Sequence, residues 1–208
     1  QYRLDRSADL FTPEYAAEQG VRLMYINTAA RDSPVEDLIR LTEGEAFHDV
    51  FVMAPVRPLV EQGDALLAKD GCLNFFAGPN SPDFKAELNF YNVHYAGHHL
   101  VGTSGGNTDD LRESLEMMEQ GLLNPAGMIT HVGGMNAVPE TIINLPSIPG
   151  GKKLIYNHID MPLTAIADFE QAGKENPLFA DLHEIVQRHN GLWCEEAEEY
   201  LLERAKSI

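Results

Sequence analysis

Cysteine is almost absent: the 208-residue chain has two, Cys72 and Cys194. They stand far apart and form no C-x-x-C pattern, which excludes a disulfide framework and a cysteine-based zinc site. A reducing cytoplasm is the simplest setting for such a chain. Basic residues are scarce as well. Fifteen Lys and Arg stand against 32 Asp and Glu, a formal charge of -17. That field repels polyphosphate backbones, so neither nucleic acid nor a membrane is an expected partner, although the net charge leaves room for a local anion pocket. No apolar run reaches the roughly 18 residues of a membrane span, and the first residues lack the basic-then-apolar order of a signal peptide. Several catalytic and phosphate-binding patterns are missing too. There is no G-x-G-x-x-G after a first strand, no G-x-x-x-x-G-K, no H-E-x-x-H and no G-x-S-x-G.

What is present is a chain of 44% hydrophobic and 23% charged residues, enough to bury a sizeable core and to read as soluble and globular. Over the first hundred residues, apolar strands alternate with amphipathic helices. Residues 4–19 read as a helix with Leu4, Ala8 and Phe11 inward, open to interruption at Pro13 and stopped by Gly20. "VRLMYIN" (21–27) reads as a strand. Ser33 and Glu36 match a capping box, with Pro34 at the first helical position, for a helix running to Gly44. "HDVFVMA" is the next strand, "RPLVEQGDALLAKDG" a helix closed by Gly71, and "CLNFFAG" a third strand. Strands apolar at nearly every position, joined by helices, require a parallel sheet covered on both faces. The expected class is α/β, a partial Rossmann-like doubly wound sheet.

Past Pro79 the pattern changes. "ELNFYNV" (87–93) and "HHLVGTS" (98–104) read as strands with no room for a crossover helix between them, the first at a sheet edge. Thr108, Asp109 and Asp110 open a helix with Leu111, Leu115, Met118 and Leu122 at helical spacing. The two acids suit the positive end of that helix and make a phosphate an awkward neighbour. "GTSGG" therefore reads as a close-approach surface for a flat, weakly charged group. Residues 124–157 are rich in Gly and Pro and end in the strand "KKLIYN"; Asn176 and Pro177 start one C-terminal helix and "CEEAEEYLLERAKSI" forms another.

In an open α/β sheet, ligands lie outside the carboxyl ends of the strands. That rule points to Asn27 and Thr28 after the first strand, to Ala54, Pro55 and Val56 after the second, and to Phe76, Ala77 and Gly78, followed by Pro79, after the third. Small residues and prolines there let a ligand approach the backbone, although each also serves as an ordinary turn residue.

The succession "HDVFVMAPV", "CLNFFAG", "YNVHYAGHHLVGTSGG", "LNPAGMITHVGGMNAVPETI" and "GGKKLIYN" resembles the C-terminal half of a medium-chain, zinc-containing alcohol or polyol dehydrogenase. Within that family it is most similar to the branch of L-sorbose 1-phosphate reductases and sorbitol dehydrogenase-like enzymes. The resemblance implies a division into a cofactor domain at 1–106 lacking its first β-α unit, a connecting helix and return into a GroES-like β domain at 107–160, and a helical C-terminal extension at 161–208. Arg3 and Leu4 match the pair that follows the family's ribose-binding acid, so that acid is expected just before Gln1.

The resemblance also implies roles. Asn27, Thr28, Ala54, Pro55 and Val56 would lie beside the cofactor's riboses, Phe76, Ala77 and Gly78 near the nicotinamide carboxamide, and Thr103, Ser104 and Gly105 beside the nicotinamide ring. The cofactor would be NAD or NADP, bound weakly by this chain alone. The catalytic zinc is expected only in an N-terminal domain that these residues do not include, so no catalytic residue is assigned here. The substrate would be a polyol or sugar phosphate. The edge strand at Glu87–Val93 would pair with a second copy in a homodimer or higher oligomer.

His94, His98 and His99 lie close in sequence, but no carboxylate or thiolate completes a metal set. They read as hydrogen-bonded or solvent-facing imidazoles, and His131 reads as structural. Glu195, Glu196, Glu198 and Glu199 read as a solvated helix face with Trp193, Tyr200 and Leu201 inward. The alternative to an oxidoreductase part, inactive alone, is a non-catalytic α/β module for dimerisation or regulation.

Overall fold

The computed structural model describes residues 2–29 and 31–208. The chain divides into two compact units, one of Gln1–Tyr25 with Ser114–Ile208 and one of Ile26–Glu113. In chain order the elements begin with helices α1 (Tyr2–Leu10), α2 (Pro13–Glu18) and α3 (Pro34–Leu41). Then come β1 (Phe47–Val52), α4 (Arg57–Ala65), β2 (Leu67–Phe75), α5 (Phe90–Tyr95), β3 (His99–Gly102) and α6 (Thr108–Glu119). The remainder holds β4 (Ile129–Gly134), α7 (Val138–Asn144), β5 (Lys152–Tyr156), β6 (Thr164–Ala165), α8 (Phe169–Ala172), α9 (Pro177–Arg188) and α10 (Glu195–Arg204).

The unit Ile26–Glu113 is built on a parallel sheet of order β1-β2-β3. Val52 pairs with Phe75, and Phe75 with Gly102, so the three strands end together. Val52, Val60, Leu67 and Leu73 form its buried core, with Val50, Phe75, Phe84, Ala86, Leu88 and Leu100 packed around them. Gly63 lets α4 settle onto the sheet: a Cβ there would stand 3.1 Å from Leu73 Cδ1 and 3.2 Å from Val52 Cγ2. Phe51 and Val101 point the other way along their strands and are exposed.

In the other unit, β4 is the centre of a sheet of order β5-β4-β6, parallel to β5 and antiparallel to β6. Its core joins Val132 of β4 to Phe169, Leu182, Val186, Trp193, Ala197 and Leu201, so the C-terminal helices and the sheet share one apolar interior.

Four sequence expectations are corrected. Residues 21–27 form no strand; Val21 N donates instead to Ala16 O at 2.9 Å, and Tyr25 places its hydroxyl 2.9 Å from Ser7 O and 2.8 Å from Phe11 O. A strand persists only with a ladder partner. The helix begun at Arg57 stops at Ala65 rather than Gly71, and Leu67 opens a strand. Asp70 at φ +64° turns the chain there, and a Cβ at Gly71 would lie 2.8 Å from Ala68 O. Of the expected edge strand at 87–93, residues 87–89 are irregular and 90–93 open the helix α5 instead, because Asn89 caps it by accepting from Tyr91 N (3.1 Å) and Asn92 N (3.3 Å). That removes the strand proposed for dimer pairing. At α3, Pro34 does stand at the first position, but the Ser33 side chain makes no capping hydrogen bond, and the helix ends at Leu41.

Candidate functional site

Because β1, β2 and β3 are parallel and in register, the loops that follow them leave from one edge of the sheet. Phe76 N and Ala77 N both donate to Val52 O at 3.1 Å, which ties the exit of β2 to the end of β1. Between the exits of β2 and β3 lies an open cleft of about 420 Å³. Phe76, Ala77, Gly78, Thr103, Ser104 and Gly105 line it, together with Phe75, Pro79 and Gly102. Thus the residues singled out after two of the strands come together. Phe75 and Gly102 were missed because each reads as the last apolar or small residue of its strand.

Ala54, Pro55 and Val56 leave from the same edge but do not line this cleft. Val56 N donates to Ala54 O at 2.8 Å, closing a tight three-residue turn before α4. Asn27 and Thr28 are not brought to the cleft either; Asn27 Oδ1 accepts from Ala29 N at 3.0 Å in a local turn.

The cleft carries no charged side chain. Its polar groups are backbone and the hydroxyls of Thr103 and Ser104, with Thr103 Oγ1 donating to Asn74 Oδ1 at 3.2 Å. Phe75 stacks on Phe84 beneath it at 5.7 Å between ring centres. Gly105 holds φ +64°, a conformation that favours glycine, and a Cβ at Gly78 would meet nothing within 4 Å. The start of α6 is closed by its own side chains: Asn107 N donates to Asp110 Oδ2 and Asp109 N to Asn107 Oδ1, both at 2.6 Å. Two carboxylates at that turn disfavour a phosphate there. The lining thus offers glycine edges, aromatic surface and two hydroxyls to whatever enters the cleft.

A second cleft, of about 590 Å³, opens beside β4 and is lined by His131, Asn136, Glu140, Thr141 and Asp168 among others. His131 is buried, and its Nδ1 lies 2.9 Å from Thr130 Oγ1. Gly151 N donates to that oxygen at 2.9 Å, and the Thr130 hydroxyl lies 3.4 Å from Lys152 O, to which it donates, so the oxygen binds β4 to the start of β5. Burial lowers the His131 pKa below its ordinary value, Lys153 adds to the effect and Asp168 opposes it. The lowered pKa favours the neutral ring where it lines this cleft.

Among the described residues no group of three or more His, Cys, Asp or Glu stands together to hold a metal ion. His98 is buried with Nδ1 unpartnered, His99 Nε2 lies 3.5 Å from Asp70 Oδ1, and the His94 ring meets Tyr95 edge-on. These arrangements, among the described residues, do not fit a zinc centre. Also among the described residues, no helix is long and apolar enough to cross a membrane.

The architecture recurs in solved alcohol dehydrogenases. Benzyl alcohol dehydrogenase from Acinetobacter calcoaceticus superposes with a TM-score of 0.55 at 17% identity, covering 68% of this chain and 39% of that one. The parallel sheet and its helices are therefore those of the Rossmann-like part of such enzymes. Residues 9–120 match the family described as zinc-binding dehydrogenase, and the chain belongs to that family. It is 54% identical over 200 residues to the uncharacterized protein YggP of Escherichia coli (strain K12), covering 96% of this chain and 47% of that protein. Identity to mannitol-1-phosphate 5-dehydrogenase of Aliivibrio fischeri is 51% over 201 residues, covering 97% and 48%. Identity to L-sorbose 1-phosphate reductase of Klebsiella pneumoniae is 43% over 196 residues, covering 93% and 45%. The chain spans about half the length of these relatives.

Proposed function

We propose that this chain supplies the nicotinamide-binding side of an NAD(P)-dependent polyol- or sugar-phosphate dehydrogenase, in which hydride passes between the cofactor and a hydroxyl or carbonyl carbon. The observation that carries the reading is the uncharged, glycine-edged cleft of Phe76–Gly78 and Thr103–Gly105 at the carboxyl edge of a parallel sheet. Membership of the zinc-binding dehydrogenase family supports hydride chemistry. The printed activities of two relatives, on mannitol 1-phosphate and L-sorbose 1-phosphate, support the substrate class.

In this reading the cofactor supplies the hydride acceptor or donor. The chain's own residues orient it: Thr103 and Ser104 offer hydroxyls and backbone to the carboxamide, and Gly78 and Gly105 let the ring approach. Ala54, Pro55, Val56, Asn27 and Thr28 belong to the ribose side. The chain alone binds the cofactor weakly and turns nothing over. Two free cysteines accord with a cytoplasmic setting. The test is a titration of the 208-residue chain with NAD and NADP, followed by an assay with mannitol 1-phosphate and added zinc. Weak saturable cofactor binding without turnover is expected, and robust turnover by this chain alone overturns the reading.

A further inference from the structure

A third cleft, of about 710 Å³, lies within the unit formed by Gln1–Tyr25 and Ser114–Ile208, and three cations line it: Arg3, Arg6 and Lys152. No aspartate or glutamate is on its wall. In a chain of 15 basic and 32 acidic residues that is a local reversal of charge. Elsewhere Arg31, Arg40, Arg57, Arg112 and Arg188 each face a carboxylate. Among the described residues, Arg3, Arg6 and Lys152 face none. Three unneutralised cations around one cavity repel one another, and an anion relieves that repulsion.

The cleft is also held in shape. Arg3 and Arg6 stand three residues apart on α1 and so share a helix face. Arg6 Nη2 donates to Gly127 O at 3.0 Å and to Ile129 O at 3.3 Å, which fixes the guanidinium without neutralising it and leaves further N–H donors free. On the opposite wall Gly150 takes φ +90°, and a Cβ at Gly151 would stand 2.3 Å from Met128 O. Backbone alone closes the wall at those two positions, immediately before Lys152 opens β5.

We propose that this cleft binds a phosphate ester through Arg3, Arg6 and Lys152. A phosphate monoester carries close to two charges at neutral pH and three acceptor oxygens, which matches several cationic donors and no acid. A neutral polyol has no use for them. The ester comes from one of two sources, a polyol or sugar phosphate or the phosphates of the nicotinamide dinucleotide. Only the first rests on the substrate class proposed above.

The test is calorimetric titration of the whole chain at low ionic strength with inorganic phosphate, mannitol 1-phosphate, mannitol, NAD and NADP. It is repeated for Arg3→Glu, Lys152→Glu and the control Lys85→Glu, which is exposed and outside the cleft. Inorganic phosphate is expected to bind saturably and to lose about tenfold or more in affinity in Arg3→Glu and Lys152→Glu, against about twofold or less in Lys85→Glu. Absence of saturable phosphate binding by the folded chain overturns the proposal, as does equal affinity in all three variants. Binding of mannitol 1-phosphate but not mannitol, sensitive to the same variants, identifies the polyol phosphate as the source. A preference for NADP over NAD that Arg3→Glu abolishes identifies the cofactor. Phosphate bound but mannitol 1-phosphate refused keeps the anion site and removes the substrate class.

Discussion

Trp193 donates its indole N–H to the Tyr156 hydroxyl across 3.0 Å, and that hydroxyl in turn donates to a carboxylate oxygen of Glu198. The chain of bonds joins the end of β5 to the segment before α10 and to α10 itself. Removing the hydroxyl with Tyr156→Phe leaves the buried indole N–H without its acceptor and Glu198 without its donor. A loss of about 1–3 kcal/mol in unfolding free energy is expected, read by urea denaturation at neutral pH.

The same hydroxyl sets an alkaline limit. Burial raises the Tyr156 pKa, the bond to Glu198 raises it further, and the Trp193 N–H acts in the opposite direction. The folded chain therefore keeps a proton that the unfolded chain releases near the ordinary tyrosine value of about 10. Stability is complete below that pH and falls as pH rises past it. Denaturation midpoints measured from pH 8 to 11 are expected to fall in the native chain and to fall less in Tyr156→Phe.

His131 acts at the other end of the scale. Its pKa is lowered, by burial first and then by Lys153, so below the ordinary histidine value of about 6.5 the unfolded chain takes up a proton that the folded chain refuses. Its contribution is present above that pH and is lost as pH falls toward the folded value. The native chain is expected to lose more stability than His131→Gln between pH 7 and 5, which paired denaturation curves measure.

Two glycines separate packing from binding. A Cβ at Gly134 would stand 2.2 Å from Ile159 O and 2.7 Å from Met161 N, both backbone atoms. Gly134→Ala is expected to cost about 3 kcal/mol or more, since backbone cannot move aside cheaply. A Cβ at Gly78 meets nothing within 4 Å, so Gly78→Ala is expected to leave stability within about 0.5 kcal/mol. It is nevertheless expected to weaken cofactor binding, because the added methyl enters the cleft. Thermal melts and cofactor titrations of the two variants distinguish these effects.

Where sequence and structure agree, local chemistry and tertiary packing point the same way. The apolar runs of "HDVFVMA", "CLNFFAG" and "HHLVGTS" became β1, the end of β2, and β3, and the small exit residues of the last two came together as a cleft. Asn176 caps α9 with its side chain on Leu178 N at 3.1 Å, as its position before Pro177 indicates. The acidic run was only partly solvated surface: Glu196 takes Arg188 and His189, and Glu198 takes Tyr156, partners remote from sequence spacing rules. "ELNFYNV" has strand composition, yet a single Asn89 cap, itself donating N–H to Asp64 Oδ2 at 2.8 Å, made it helical. "VRLMYIN" has the right residues for a strand, yet among the described residues no strand forms there. The cationic cleft left no trace in composition, because Arg3 and Lys152 meet only through folding and the net charge points the other way.

The most direct measurement is an amide ¹H–¹⁵N correlation spectrum of the isotopically labelled chain titrated with NAD. The expected result is saturable shifts concentrated at residues 75–79 and 102–105, with smaller ones at 54–56. Shifts confined to other residues, or no shifts at millimolar NAD in a folded chain, would contradict the assignment of the nicotinamide to this cleft.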